Sequence, residues 1–337
     1  MPTPLASHAD SHYRWIALSN TTLGVLAASI NGSILLISLP AIFRGIGLDP
    51  LGAGNINYLL WTIMGYMVAT AVLVVAFGRL GDILGRARMY NLGFAIFTVT
   101  SIALSLIPGQ GTDAALYLIV VRVIQGVGGA LLMANATAIL TDAFPPHQRG
   151  LALGLNTIAA IGGSFIGLLL GGLLADVNWH LVFWINVPFG VVGTVWAYMK
   201  LRDTRPPRQE RLDWIGNITF AAALILLLVA ITNGIQPYGG RTMGWTSPVV
   251  LGEIVAGILI LVFFLWVERR IARPMFDLAL FRIRPFTAGN IASLAAAIGR
   301  GGLQFMLIIW LQGIWLPLHG YSFESTPLWA GIFMLPL

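Results

Sequence analysis

Ala221-Ala222-Ala223-Leu224-Ile225-Leu226-Leu227-Leu228-Val229 offers no polar face at any register. A strand of a membrane barrel alternates between lipid and lumen, and a soluble surface helix keeps one side for water. This stretch does neither, so it reads as the middle of a helix that crosses a bilayer. Outward from it, the apolar run fills Trp214–Thr232. About 20 apolar residues at 1.5 Å per residue cross a hydrocarbon core of ~30 Å.

The same test is met along the rest of the chain. Spans are predicted near Trp15–Leu39, Asn57–Phe77, Met89–Ile107, Ala114–Leu140, Leu151–Leu174, His180–Met199, Pro248–Val267 and Pro285–Leu316. A tenth begins near Pro327 and is still running at Leu337, so the chain is expected to be truncated shortly after that span starts. Composition agrees, with 57% hydrophobic and only 9% charged residues, against about 25% charged in soluble domains. The fold class expected is an all-α polytopic membrane protein. The first apolar run is too long for a signal peptide's apolar region and reads as a retained first span.

Nineteen residues are Lys or Arg, and the net charge is +6. In a soluble protein that balance would suggest nucleic acid; here the basic loops face lipid headgroups, and no nucleic-acid partner is expected. With a cytoplasmic N-terminus, fifteen of the nineteen, from Arg14 to Arg284, fall in inner loops or the N-terminal tail. Only Arg44 and Arg241 fall outside, which is a strong positive-inside asymmetry. The basic loops also divide the chain. Residues 1–14 read as a cytoplasmic tail and 15–200 as a six-span bundle. Residues 201–284 read as a linker with two extra spans, and 285–337 as the start of a second, incomplete bundle.

Two polar stretches interrupt the apolar background. Gly78-Arg79-Leu80-Gly81-Asp82-Ile83-Leu84-Gly85-Arg86-Ala87-Arg88 joins the second and third spans. Its glycines permit a tight turn between closely packed helix ends. Asp82 is either a charge-neutralising acid in a positive loop or a latch whose pairing changes. The fourth span carries Arg122-Val123-Ile124-Gln125-Gly126-Val127-Gly128-Gly129-Ala130. Arg122 and Gln125 share a helix face, and Gly126, Gly129 and Ala130 allow close helix contact. Arg122 lies too deep for easy snorkelling, and a charge there costs about 2.5–3.5 kcal/mol on insertion scales. Function therefore outweighs a snorkelling role at this position.

These two stretches together resemble the major facilitator superfamily. Further stretches are similar to its fourteen-helix drug:proton antiporter branch: Phe144-Pro145 with Arg149-Gly150; Trp179-His180 with Phe183, Asn186 and Pro188; and Leu311-Gln312 through Leu335-Pro336. The resemblance implies a complete six-helix bundle, two linker helices and a partial second bundle. It implies a secondary active transporter of the bacterial plasma membrane, exporting small organic or drug-like compounds by alternating access, with protons as a candidate coupling ion. Arg122, Gln125 and Asp82 are its implied transport and coupling residues. Asn31, Arg300 and Gln304 are cavity candidates. Gly78, Gly85, Arg86, Gly126, Gly129, Gly163, Gly167, Gly171 and Gly172 form its conformational and packing motifs.

Two departures stand out. The branch carries an acid in its first span where this chain has Asn31, and an amide cannot hold a proton at neutral pH. Its fifth-span proline is Leu168 here, so no bend is expected. The missing acid leaves a second reading open, a non-transporting membrane partner or an inactive fragment of such a transporter. No clustered acids, paired histidines or phosphate-cradling G-x-x-x-x-G-K motif point to an enzyme, a metal or a cofactor. The partners expected are a small-molecule substrate, the lipid bilayer and the candidate protons.

Overall fold

The computed structural model describes residues 4–50, 52, 54–203, 213–235, 238–239, 243–271, 274, 277–322 and 325–334, with backbone alone for 4–11 and 176. Arg205, Arg208, Arg211, Arg241, Arg273 and the Leu335-Pro336 pair lie outside the described residues. Among the described residues, nine helices are long and apolar enough to cross a membrane. The first five are α1 (Pro4–Gly45), α2 (Asn55–Leu84), α3 (Arg86–Ser105), α4 (Gly111–Ala143) and α5 (Arg149–Val177). The sixth span is α6 (Leu181–Trp184) followed by α7 (Asn186–Lys200). Then come α8 (Trp214–Gly234), α9 (Pro248–Glu268) and α10 (Arg284–Trp310). A π-helical turn, Leu311–Trp315, leads into α11 (Leu316–Leu318), and α12 (Thr326–Phe333) opens the tenth expected span.

The boundaries differ from the hydropathy reading where polar residues sit on helices. α1 starts at Pro4, well before Trp15, because the polar residues ahead of the apolar run are helical too. The ninth span is not one regular helix, since its last part winds through the π turn around Gln312. α5 runs unbroken through Leu168, as its lack of proline requires. Gly85, at φ 108°, separates α2 from α3 in a conformation that residues with a Cβ rarely adopt.

α1 to α7 form one tightly packed bundle. In lipid, apolar side chains gain little by leaving their surroundings, so helices hold together through close fit and internal hydrogen bonds. The fit here depends on small residues at four-residue spacing. A Cβ at Gly163, Gly167 or Gly171 would lie 2.9, 2.7 and 2.7 Å from the carbonyl oxygens of Leu26, Ile30 and Ile34 on α1. On α4, Gly126 meets Tyr66 and Ala69 of α2, and Gly128 meets Gly93 and Phe97 of α3. Buried aromatics fill the wider gaps, with Tyr90, Phe94 and Phe97 in one cluster and Phe43 and Phe183 in another.

α8 and α9 pair with each other, and α8 leans on α2, where the Thr232 hydroxyl lies 3.4 Å from Met64 Sδ. Both helices of this pair carry exposed apolar residues, among them Ile215 and Ile218 on α8 and Val255, Leu259 and Phe263 on α9. α12 packs on α5 near that helix's C-terminal end, Gly331 against Leu168 and Gly172 against Leu328. Along α10, every residue from Arg284 to Met306 is exposed except Thr287 and Gln304.

Candidate functional site

Arg122 lies inside the bundle with 2% of its surface exposed. Its Nη1 donates to Gln125 Oε1 at 2.7 Å and to Asn31 Oδ1 at 3.3 Å. Its Nε donates to the Thr62 carbonyl at 3.4 Å, and its guanidinium stacks 4.5 Å from the centre of the Tyr66 ring. Gln125 passes the network on, its Nε2 donating to Ser101 Oγ at 3.0 Å. Asn186 Nδ2 reaches Asn31 Oδ1 at 3.4 Å. Five spans, α1, α2, α3, α4 and α7, thus join one network around Arg122, with α3 reaching it through Gln125 and α7 through Asn31.

Local sequence accounts for this convergence. Arg122 and Gln125 lie three apart, which places them on one face of α4. Gly126 and Gly129, immediately beyond, bring α2 close enough for the Tyr66 ring to reach the guanidinium. Asn31 comes into range because Gly163, Gly167 and Gly171 draw α5 hard against α1 and fix that helix's rotation. Every partner of Arg122 is electrically neutral. Among the described residues, no carboxylate lies within ion-pair distance of it. Asn31 Nδ2 and Asn186 Oδ1 are buried without a hydrogen-bond partner among the described residues.

A second polar cluster surrounds the junction of α2 and α3. Arg86 Nη2 lies 2.6 Å from Asp82 Oδ1, and its Nη1 lies 2.6 Å from Asp142 Oδ2 near the end of α4. Arg86 also donates to the Ala138 carbonyl at 3.1 Å. Asp203, beyond α7, accepts from the Ala87 backbone N–H at 2.8 Å at the first turn of α3, where the helix dipole favours an anion. Its carboxylate sits directly over Gly85, where a Cβ would collide with it. Arg79 reaches the Pro274 carbonyl.

Arg122, Gln125 and Asn31 are therefore brought together, and Asp82 joins Arg86 in a separate cluster. Arg300 is exposed on α10 and Gln304 is half-exposed there; neither reaches the Arg122 cluster. Gly163, Gly167 and Gly171 face α1, Gly172 faces α12, and Gly78 makes ordinary contact with Ala134. Sequence reasoning overlooked Asp142, Asp203, Thr62, Tyr66 and Ser101, none of which stands out in its own segment. Glu253 on α9, half-exposed, accepts from Asn233 Nδ2 on α8 at 2.9 and 3.1 Å. His180 stacks on Trp179 and contacts the Ser105 carbonyl at 2.9 Å.

Nine apolar helices and a charged residue enclosed by five of them define a polytopic membrane protein built around a buried polar centre. The sequence from residue 21 to 337 matches the model of the Major Facilitator Superfamily, and the chain belongs to that family. It is 30% identical, over 96% of its length, to a tetracenomycin C resistance and export protein of Streptomyces glaucescens. It is 27% identical, over its whole length, to multidrug resistance protein 3 of Bacillus subtilis. It is 30% identical, over 89% of its length, to a riboflavin transporter of Clostridioides difficile. The chain spans 56%, 60% and 61% of these relatives' own lengths. A solved bacterial homologue of the human lysosomal transporter Spinster overlaps 96% of this chain and 73% of its own, at a TM-score of 0.47 and 16% identity, a likeness too distant to carry any inference.

Proposed function

We propose that the full gene product is a secondary active transporter of the bacterial inner membrane that exports small organic compounds by alternating access. The observation that carries this reading is the enclosure of Arg122 by five spans with neutral partners only. A membrane protein that needed only to fold would have no use for a cation at that depth, because intramembrane charge is costly and normally marks a substrate or ion path. Two bundles rocking about a midplane site would expose this centre to each side in turn. The first bundle is residues 15–200. α8 and α9 are a peripheral pair, and α10 with α12 begins the second bundle. Export is supported by the roles of two relatives, in tetracenomycin C export and in multidrug resistance. Equally similar relatives differ in what they carry, so the cargo here is placed no more narrowly than small organic compounds.

The N-terminus is proposed to lie in the cytoplasm, together with the clusters at Asp82–Arg86 and Asp203. The support is the concentration of basic residues at that side. The chain has no cysteine, so single cysteines introduced at Arg88 or Arg208 should resist an impermeant thiol reagent in intact cells.

Transport itself is tested in an efflux-deficient bacterial strain expressing the full gene product. Cells are loaded with a panel of fluorescent dyes that includes cationic ethidium and anionic carboxyfluorescein. The expected result is faster loss of at least one dye, slowed by a protonophore if protons drive the step. Dye retention identical to that of the empty strain, at verified membrane expression, contradicts the proposal.

A further inference from the structure

Every interaction of Arg122 among the described residues leaves its charge uncompensated. Gln125, Asn31 and Thr62 offer neutral oxygens, and Tyr66 offers a ring face. Nη2 of the guanidinium makes no hydrogen bond among the described residues. Beside it, Asn31, 1% exposed, holds an amide nitrogen that is buried and has no hydrogen-bond partner among the described residues. An aspartate at position 31 would have the same shape and would neutralise the cation in place. The amide adds a donor where the carboxylate would have added an acceptor.

Idle N–H groups beside an unbalanced cation are the complement of an anion. Buried donors and buried charges persist when a partner satisfies them. We infer that Arg122 and Asn31 form an anion site: Nη2 of Arg122 and Nδ2 of Asn31 together take a small monoanionic group. That group is a carboxylate carried on the cargo or a free halide that accompanies it. A planar guanidinium suits a carboxylate, which it can engage through two parallel bonds. Asn186 Oδ1, the unpaired acceptor nearby, is left for water that enters with the anion. The cargo arm of this inference rests on the transport reading; the anion site itself does not.

The test uses the full gene product in nanodiscs of zwitterionic lipid, with thermal unfolding as the readout. Ligands that bind the folded state alone raise the melting temperature as they saturate. Sodium chloride and sodium benzoate are titrated at constant ionic strength against sodium sulfate, a strongly hydrated dianion that carries no carboxylate. The expected result is a saturable rise with at least one of the two. A rise with benzoate alone assigns the site to a carboxylate-bearing cargo, and a rise with chloride assigns it to a halide. Asn31→Asp supplies the missing charge from within. That variant is expected to melt higher than wild type in sulfate and to lose the anion-dependent rise. Failure of both anions to stabilise wild type overturns the inference, and so does an undiminished rise in Asn31→Asp. Dye efflux without any anion-dependent stabilisation defeats the anion site and leaves transport standing. Stabilisation without efflux of any dye defeats transport and leaves the site standing.

Discussion

Arg86 sits between two carboxylates, Asp82 and Asp142, each 2.6 Å away, and a fifth of its side chain is exposed. Arg122 sits among amides, a carbonyl and an aromatic ring, enclosed, with no carboxylate in reach among the described residues. The first arginine is over-balanced and lies near solvent, so its pairs can open and re-form at modest cost; partly exposed ion pairs contribute about 0–1 kcal/mol each. The second has no such freedom. Removing the partner of a buried charge typically costs about 3–5 kcal/mol, and here no charged partner is present to begin with. The difference teaches that one polar cluster carries its own counter-charges between helix ends, while the other carries none among the described residues, as the inferred anion site requires.

The largest expected effect falls on the unbalanced arginine. Arg122→Ala should bring dye efflux to background at equal expression, and Arg122→Lys should not restore it. Lysine offers a point charge where the site presents a fork of donors to Gln125, Asn31 and Thr62. Wild-type efflux in either variant would erase the contrast between the two arginines.

Next come the glycines that hold α1 in place for Asn31. Gly167→Leu should strongly lower the yield of folded protein and its melting temperature, since even a Cβ would sit 2.7 Å from the Ile30 carbonyl oxygen and 3.0 Å from its Cα. The nearest atoms are backbone and cannot swing aside. A melting temperature equal to wild type would show that α1 and α5 pack less closely than described.

A smaller effect is expected at the latch. Asp82→Asn should leave the protein inserted and slow efflux sharply without abolishing it, because Asp142 still holds Arg86. Replacing both acids should cost more than the two single changes combined. Equal efflux in Asp82→Asn and wild type would reduce that cluster to a determinant of topology.

The smallest effect sharpens the glycine comparison within α5. Gly162, adjacent to Gly163, has no atom within 4 Å of where a Cβ would stand. Gly162→Ala should be neutral or stabilising by up to about 1 kcal/mol, the usual gain of alanine over glycine in a helix. A clear loss of melting temperature there would mean that α5 presents a different face to α1.

Much of this was readable beforehand, for physical reasons. Runs such as Ala221–Val229 admit only one solvent and one secondary structure. Arg122 and Gln125 are close in sequence, so helical periodicity alone places them side by side. Asn31 lies 91 residues from Arg122, and Asn186 lies 155 from Asn31. Their meeting depends on how each helix is rotated about its axis, which apolar spans do not record. Asp142 lay hidden for the same reason, 56 residues from Arg86 in an unremarkable helix end. The glycine spacing on α5 advertised a packing face but not its partner, since α1 shows no matching run of glycines. Arg300 illustrates the limit of depth as a guide: it lies well inside its span, yet α10 presents it to the exterior of the described residues.

The account turns on the claim that the charge of Arg122 is uncompensated and that transport works through it. The most direct test is the pH profile of efflux for wild type and Asn31→Asp, measured side by side in proteoliposomes of the full gene product. The account predicts that the two profiles diverge. The introduced carboxylate would pair with Arg122 when ionised and release it when protonated, adding a pH-dependent limb that wild type lacks. Superimposable profiles, with both proteins equally active, would show that Arg122 does not sense a charge placed at position 31 and would contradict the account.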